Sequence, residues 1–267
     1  MNPLKTLFRH QELVKNLVSR ELKSRYKGSV LGVLWSLLTP LFMAIISVCF
    51  FRLLARGMPA EEIIVGVFAW QFTVQSVQEG MRAITGNSNL VKKVFFPRIL
   101  LPLSITLSNL VNYLLSLIVQ FVFIFIWFLL KSEPLTLSIF TCALPFVIIY
   151  QTLFNIGMSL LVSASNVYYR DTQHAVGILM SAWFFMSPVM YNLSFIEPIT
   201  QQNPWIMNLY MLNPIAGIIT AYRALLFPDI TFEWTLYTLL GFVWPLVLTS
   251  VSYFVFRRAQ KNFSDML

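Results

Sequence analysis

Six stretches of this sequence, residues 30–54, 63–81, 101–130, 140–162, 176–190 and 236–256, run almost without charge. A helix needs about 20 predominantly apolar residues to cross a hydrocarbon core about 30 Å thick. A chain built mainly of such runs satisfies its backbone as helices inside a bilayer. The fifth run is short and crosses only if its flanking residues join it. A seventh, 208–227, is interrupted by Pro214 and Arg223 and closed by Pro228. It reads as a re-entrant or interfacial hairpin, which is allowed where protein or a water-filled cavity surrounds the backbone. Composition agrees with an integral membrane protein, since 57% hydrophobic and 11% charged residues leave too little polar surface for a soluble globule of 267 residues. The first run follows nearly 30 polar or amphipathic residues and reads as a retained span, not a signal peptide. Cys49 and Cys142 lie inside apolar runs, which leaves neither a disulfide framework nor a spaced set of metal ligands.

Charge then sets the orientation. A formal net charge of +8 also suits nucleic acid, but Lys and Arg collect in the cytoplasmic loops of membrane proteins. Location accounts for the charge without a nucleic-acid partner. With six spans, one side receives the basic residues up to Lys27, then Arg82, Lys92, Lys93, Arg98, Arg170, Arg257, Arg258 and Lys261, fifteen in all. The other side receives only Arg52, Arg56, Lys131 and Arg223. Both termini are therefore expected in the cytoplasm. Counting 208–227 as a seventh span would carry the basic C-terminal tail to the opposite side, so the hairpin is the better reading. The expected organisation is all-α and one domain over 1–267, with a cytoplasmic interface segment at 1–29, a six-span bundle at 30–256 and a tail at 257–267.

Residues 4–27 lack a long apolar run. At 100° per residue, however, Lys5, Arg9, Arg20, Lys23 and Lys27 fall within about 60° of one another, opposite Leu7, Val14, Val18 and Leu22. This predicts an amphipathic helix in the membrane interface, its basic stripe toward water and lipid phosphate. Lys15 and Arg25 fall on the apolar side. Arg25 there either snorkels or points at something anionic.

Polar stripes at helical spacing mark three runs: Gln71, Gln75, Gln78 and Glu79; Asn109, Asn112, Ser116 and Gln120; and Gln151, Asn155 and Ser159. Amides facing lipid would lose their hydrogen bonds, so these faces are expected inside the bundle, as contacts between helices or with a substrate. Glu79 is the one carboxylate near a span that is not plainly in a loop, and an ion pair with Arg82 is expected. Intramembrane catalysis or proton coupling needs paired acids, a histidine or a metal set at membrane depth. His10 and His174 lie outside the runs, no catalytic or metal-ligating set is seen, and no GxxxxGK[ST] phosphate loop occurs. The driving energy is expected from another chain.

Aromatic residues make up 15% of the sequence. Trp35, Phe42 and Phe50 repeat along the first run, while Trp183, Phe184 and Phe185 lie in the fifth and Tyr191 just past it. Such stripes serve as packing and interfacial anchors, or as stacking platforms if the cargo is a glycan. The cytoplasmic loop 85–102 carries a short apolar and basic segment bracketed by Gly86, Pro97 and Pro102. It reads as a small helix across the membrane face, either an ordinary basic loop or a docking element with Val94, Phe95 and Phe96 as plugs and Lys92, Lys93 and Arg98 as charged contacts.

The segments RYKGSVLGVLWSLLTPL, NLVKKVFFPRILLP, VYYRD at 167–171 and LNPIAGIITAYR at 212–223 together resemble the permease subunit of ABC transporters that export polysaccharides, among them exporters of O-antigen, capsule and teichoic acid. The likeness covers essentially the whole chain. It implies a homodimer in a bacterial inner membrane, joined to two copies of a separate ATPase subunit that binds ATP and Mg; this chain carries no cofactor. By that resemblance 4–27 is the interface helix and 87–98 the coupling helix, with Asn89, Leu90, Lys92, Lys93, Phe95, Phe96, Pro97 and Arg98 at the ATPase. Trp35, Phe42, Phe50, Trp183, Phe184 and Tyr191 would line the channel, and Asn213 and Pro214 would close its outer mouth. A polyprenyl-pyrophosphate-linked glycan would enter from the cytoplasmic leaflet, with Arg25, Tyr26 and Lys27 attracting its pyrophosphate. Competing readings are an ABC permease for a drug, lipid or other small amphiphile, a membrane enzyme acting on polyprenyl-linked sugars, and a structural subunit. The missing acidic pairs argue against the enzyme.

Overall fold

The structure, a computed structural model, describes residues 10–25, 27–32, 34–54, 59–94, 96–132, 137–230, 232 and 235–267. All regular elements among the described residues are helical. In chain order they are α1 (Gln11–Arg25), α2 (Leu34–Leu54), α3 (Ala60–Met81), a 3₁₀ turn (Thr85–Asn87) leading into α4 (Ser88–Lys93), and α5 (Leu100–Lys131). A second 3₁₀ segment (Ile139–Ala143) leads into α6 (Leu144–Tyr168), followed by α7 (Thr172–Phe185), α8 (Leu193–Gln202), α9 (Pro204–Met211) and α10 (Pro214–Leu226). Last come α11 (Leu236–Ala259), a 3₁₀ turn (Gln260–Asn262) and α12 (Phe263–Met266).

Among the described residues, three helical stretches are long and apolar enough to cross a membrane: Leu100–Lys131, Ile139–Tyr168 and Leu236–Met266. The pair α9 and α10 passes the same test only together, and it bends by 89° at its break. Among the described residues, length and composition thus give three candidate spans, or four if the bent pair is one span; the six read from the sequence go beyond this. The bend lies where the sequence places a hairpin. Pro214 starts α10 because a first-turn position needs no N–H donor, and the Asn213 side chain caps that helix by accepting from the Ile215 N–H at 3.1 Å. With 14 residues, α7 is about 21 Å long, short of a bilayer core on its own.

Helix α3 is the axis of the molecule, packed against α2, α5, α6, α7 and α10. It is buried along most of its length, Glu61 and Glu62 included, while Gln71, Gln75 and Glu79 are half-buried. The stripe Asn109, Asn112, Ser116 and Gln120 and the stripe Gln151, Asn155 and Ser159 are all buried between helices, as expected; Gln78 is exposed, unlike the rest of its predicted stripe. Gln151 Nε2 donates to the Ala69 carbonyl at 2.7 Å and to Thr73 Oγ1 at 3.0 Å, while its Oε1 accepts from the Tyr222 hydroxyl at 2.9 Å. One amide therefore ties α3, α6 and α10. Small residues allow the closest approaches: a Cβ added at Gly80 would stand 2.0 Å from Ser159 Oγ, and one at Gly157 would stand 2.9 Å from Thr249 Cα.

The interior falls into two apolar clusters. The larger joins α3, α5, α6 and α10, with Phe72 and Tyr113 stacked at 4.8 Å. The smaller, at the opposite end, gathers Leu17, Ile84, Leu100, Leu101, Phe256 and Phe263. The C-terminal segment expected as a tail belongs to this second cluster. Phe263 is completely buried between Tyr168 and Phe256, and the Tyr168 hydroxyl donates to the Ala259 carbonyl at 2.9 Å.

Candidate functional site at the interface helix, the basic loop and the bent pair

The apolar side of α1 is held by protein. Leu17 is buried, and Leu13 and Val14 pack beside it on the cluster formed by the ends of α5, α6 and α11. Polar contacts complete the attachment. Arg25 Nη2 bonds the Glu79 carboxylate and donates to Asn109 Oδ1 at 2.8 Å, while Asn109 Nδ2 donates to Glu79 Oε2 at 2.9 Å. This closed triangle joins α1, α3 and α5. Farther along α1, Arg20 Nη2 donates to Asn87 Oδ1 at 2.6 Å, and Asn87 Nδ2 in turn donates to the Ala83 carbonyl at 2.9 Å. The interface helix is thereby fastened both to the bundle and to the start of the basic loop.

Two expectations change here. Glu79 pairs with Arg25 from another helix and not with Arg82, which is exposed in the turn after α3. The anionic partner of Arg25 is thus a side chain of this protein. The water-facing side of α1 presents an open groove of about 570 Å³ lined by Asn16, Ser19, Arg20, Lys23, Ser24 and Lys27. Lys27 belongs to that groove; Tyr26 lies outside the described residues.

In the basic loop, Asn89, Lys92, Lys93 and Val94 are exposed, and Val94 keeps 51% of its surface. Leu90 and Phe96 are turned back and packed on the second cluster, and Pro97 is half-buried. Phe96 is therefore not a free plug, and Phe95 lies outside the described residues. The Arg98 guanidinium donates to the Gln260 carbonyl and to Ser264 Oγ. It anchors the C-terminal segment to the loop.

The aromatic residues divide. Trp35, Phe42 and Phe50 on α2 are 48%, 54% and 56% exposed, on a face this chain does not cover. Trp183 instead packs edge-on against Trp70 and Phe154, and its Nε1 donates to Asn213 Oδ1 at 2.9 Å. Phe184 lies 5.7 Å from Trp70. The Tyr191 hydroxyl donates to the Phe185 carbonyl at 3.0 Å and accepts from the Tyr210 hydroxyl at 3.0 Å. These three residues are half-buried and make packing contacts within this chain. Asn213 also donates through Nδ2 to the Met186 carbonyl at 3.1 Å and to Ser187 Oγ at 2.9 Å, locking the bend of α9 and α10 to the end of α7.

One cluster escaped the sequence reading. Arg223, counted there among solvent-side cations, is 2% exposed. Its Nε donates to the Glu62 carbonyl at 3.0 Å, Nη1 to the Tyr191 carbonyl at 2.8 Å and Nη2 to the Val189 carbonyl at 3.2 Å, with a Glu62 carboxylate oxygen 4.0 Å from Nε. Nearby, Lys131 Nζ pairs with Glu61 at 3.3 Å. Glu79 is therefore not the only carboxylate within the bundle. The signal in the sequence was the pair Glu61 and Glu62 directly before an apolar run. Among the described residues no three His, Cys, Asp or Glu side chains stand together as a metal site.

Comparison with known proteins gives this arrangement relatives. The family model described as ABC-2 type transporter matches residues 12–227. The chain is 33% identical over 227 residues, 84% of each chain, to the O-antigen export system permease protein RfbA of Myxococcus xanthus. It is 29% and 28% identical to two proteins of that name from Klebsiella pneumoniae, over 96% of this chain and 95% of theirs.

Proposed function

The chain belongs to the ABC-2 type transporter family, as a transmembrane permease whose ATPase is a separate subunit, and from that premise we propose that it forms the export channel for a polyprenyl-pyrophosphate-linked polysaccharide. The observation that carries this reading is the similarity, along 84–96% of the chain, to permeases named for O-antigen export. In the proposed assembly two copies meet about a central path and two ATPase subunits sit beneath them. The protein lies in a bacterial inner membrane with six crossings and both termini cytoplasmic. The charge distribution supports that orientation. The exposed aromatic rings of α2 support its place along the path, where Trp35 and Phe42 would stack on sugar rings with Phe50 beside them.

Asn89, Lys92, Lys93 and Val94 form the contact with the ATPase. Movement there passes to α1 through Arg20 and Asn87, and from α1 into α3 and α5 through Arg25, Glu79 and Asn109. The bundle then responds as a unit, because a hydrogen-bonded charge pair resists separation more than a neutral contact does. The carrier pyrophosphate is attracted by Lys27 with Arg20 and Lys23 in the groove of α1, while Arg25 holds that helix in place. The bend at Asn213 and Pro214 closes the far mouth. Co-expression with the ATPase encoded nearest to this chain, followed by purification, tests the assembly. A stable complex of two permeases and two ATPases that hydrolyses ATP is expected. A chain that purifies alone and binds no ATPase contradicts the proposal.

A further inference from the structure

At the end of the bundle that carries the bent pair, a lateral cavity of about 380 Å³ opens between α6, α10 and α11. Its walls include the rings of Phe146, Tyr150, Phe232 and Phe242 and the methyl groups of Ala221 and Ala224. Tyr150 and Phe242 tilt against each other at 5.1 Å, and Phe232 lies 5.9 Å from Phe242. The space exists because α10 passes α6 with alanines on this side. Larger residues of the same helix turn inward: Tyr222 reaches Gln151, and Arg223 reaches Glu62.

The chemistry of the walls selects the occupant. The Tyr150 hydroxyl donates to the Phe242 carbonyl, so the polar atom of that wall is already satisfied. A resident water needs two to four polar partners, and these almost wholly apolar walls do not supply them. The mouth is continuous with the exposed faces of two helices that are long and apolar enough to cross a membrane: Phe146 and Ile149 on α6 are 75% and 67% exposed, and Leu239 and Val243 on α11 are 48% and 49% exposed. That surface meets lipid hydrocarbon. An apolar cavity of about 150 Å³ accepts one benzene. By that measure this cavity holds roughly 15 carbons, a substantial length of a fatty acyl chain. Lipid offers no hydrophobic gain on leaving lipid, so retention comes from close packing against the rings and the alanine methyls.

We propose that this cavity is a binding site for one acyl chain of a membrane phospholipid, held as a packing partner of α10. The site depends only on the chain spanning a membrane, not on its cargo. The test reconstitutes the full chain in nanodiscs with a phospholipid bearing a diazirine near the end of one acyl chain, followed by irradiation and peptide mapping. Labelling of Phe146, Tyr150 and Phe242 is expected to exceed that of Phe254 and Val255, exposed on the same helix α11 but away from the cavity, by about tenfold, the ratio a preference of ~1.4 kcal/mol gives. Ala224→Phe and, independently, Ala221→Leu fill the cavity and are expected to bring labelling down to the Phe254 level. Equal labelling of cavity and control residues in the wild-type protein overturns the proposal, as does undiminished labelling in a filled variant. Displacement of the label by polyprenyl phosphate but not by unlabelled phospholipid also overturns it, since the occupant is then a prenyl chain. None of these readouts uses transport, so the lipid site and the export reading fail separately.

Discussion

Replacing Arg25 by alanine removes one corner of the triangle that fastens α1 to α3 and α5. Glu79 keeps its 2.9 Å hydrogen bond from Asn109 but loses its cationic partner. The side chains are 24% and 39% exposed, between the surface and buried regimes. Exposed ion pairs contribute about 0.2–1 kcal/mol, and removing one partner from a fully buried pair costs about 3–5 kcal/mol. Hydrogen bonds to charged groups fall between these limits, at about 1.5–3 kcal/mol. A loss of about 2 kcal/mol is therefore expected, which raises the detached population of α1 roughly 30-fold. Hydrogen exchange reads this directly, because amides of a locally opening helix exchange in proportion to the open population. Residues 11–25 should exchange roughly 30-fold faster in Arg25→Ala, with α6 unchanged. Glu79→Gln retains an acceptor for Arg25 and should show a smaller effect. The double variant should fall short of the sum by about 1–2 kcal/mol, as two ends of one interaction require. Unchanged exchange in α1 together with reduced export would refute the fastening role and return Arg25 to the substrate.

Three other perturbations test separate parts of the structure. Arg223→Ala strands Glu62 and the carbonyls of Glu62, Val189 and Tyr191, and a stability loss of about 3–5 kcal/mol should appear as a lower melting temperature in detergent, with Glu62→Gln milder. Phe263→Ala empties a completely buried site between Tyr168 and Phe256 and should cost about 3–5 kcal/mol, read as the same thermal shift; an unchanged melting temperature would mean that the C-terminal helix does not pack as described. Charge reversal of exposed Lys92 and Lys93 together should weaken ATPase co-purification about tenfold or more while leaving the stability within about 0.5 kcal/mol of wild type; intact co-purification would remove these lysines from the interface.

What the sequence made legible followed from periodicity. Asn109, Asn112, Ser116 and Gln120 recur at helical spacing, which places them on one face, and an amide face excluded from lipid has to turn inward. The bend was legible for a similar local reason: Asn213 and Pro214 form a cap and a first-turn proline whatever surrounds them. The partners of those faces were not legible. Arg25 was correctly singled out as misplaced on an apolar side, but its acceptor stands 54 residues away on a helix whose approach no local pattern announces. Arg223 looked like a loop cation because its burial depends on the first turn of α3 arriving beside it. Trp183 and Phe184 shared a stripe with exposed Phe185, and only the neighbouring Trp70 and Phe154 show which rings are packed. Phe263 repeats seven residues after Phe256 on the same helical side, a spacing that does signal packing, yet the basic residues between them gave the segment the look of a solvated tail.

The decisive measurement is transport itself. Proteoliposomes carrying the permease with its ATPase are supplied with a polyprenyl-pyrophosphate-linked glycan on the ATPase side, and the glycan is then challenged with an added glycosidase. Export predicts that ATP makes the glycan resistant to digestion as it enters the lumen, and that a hydrolysis-deficient ATPase abolishes this protection. A complex that hydrolyses ATP yet leaves the glycan fully digestible, while moving a small amphiphile instead, contradicts the polysaccharide reading.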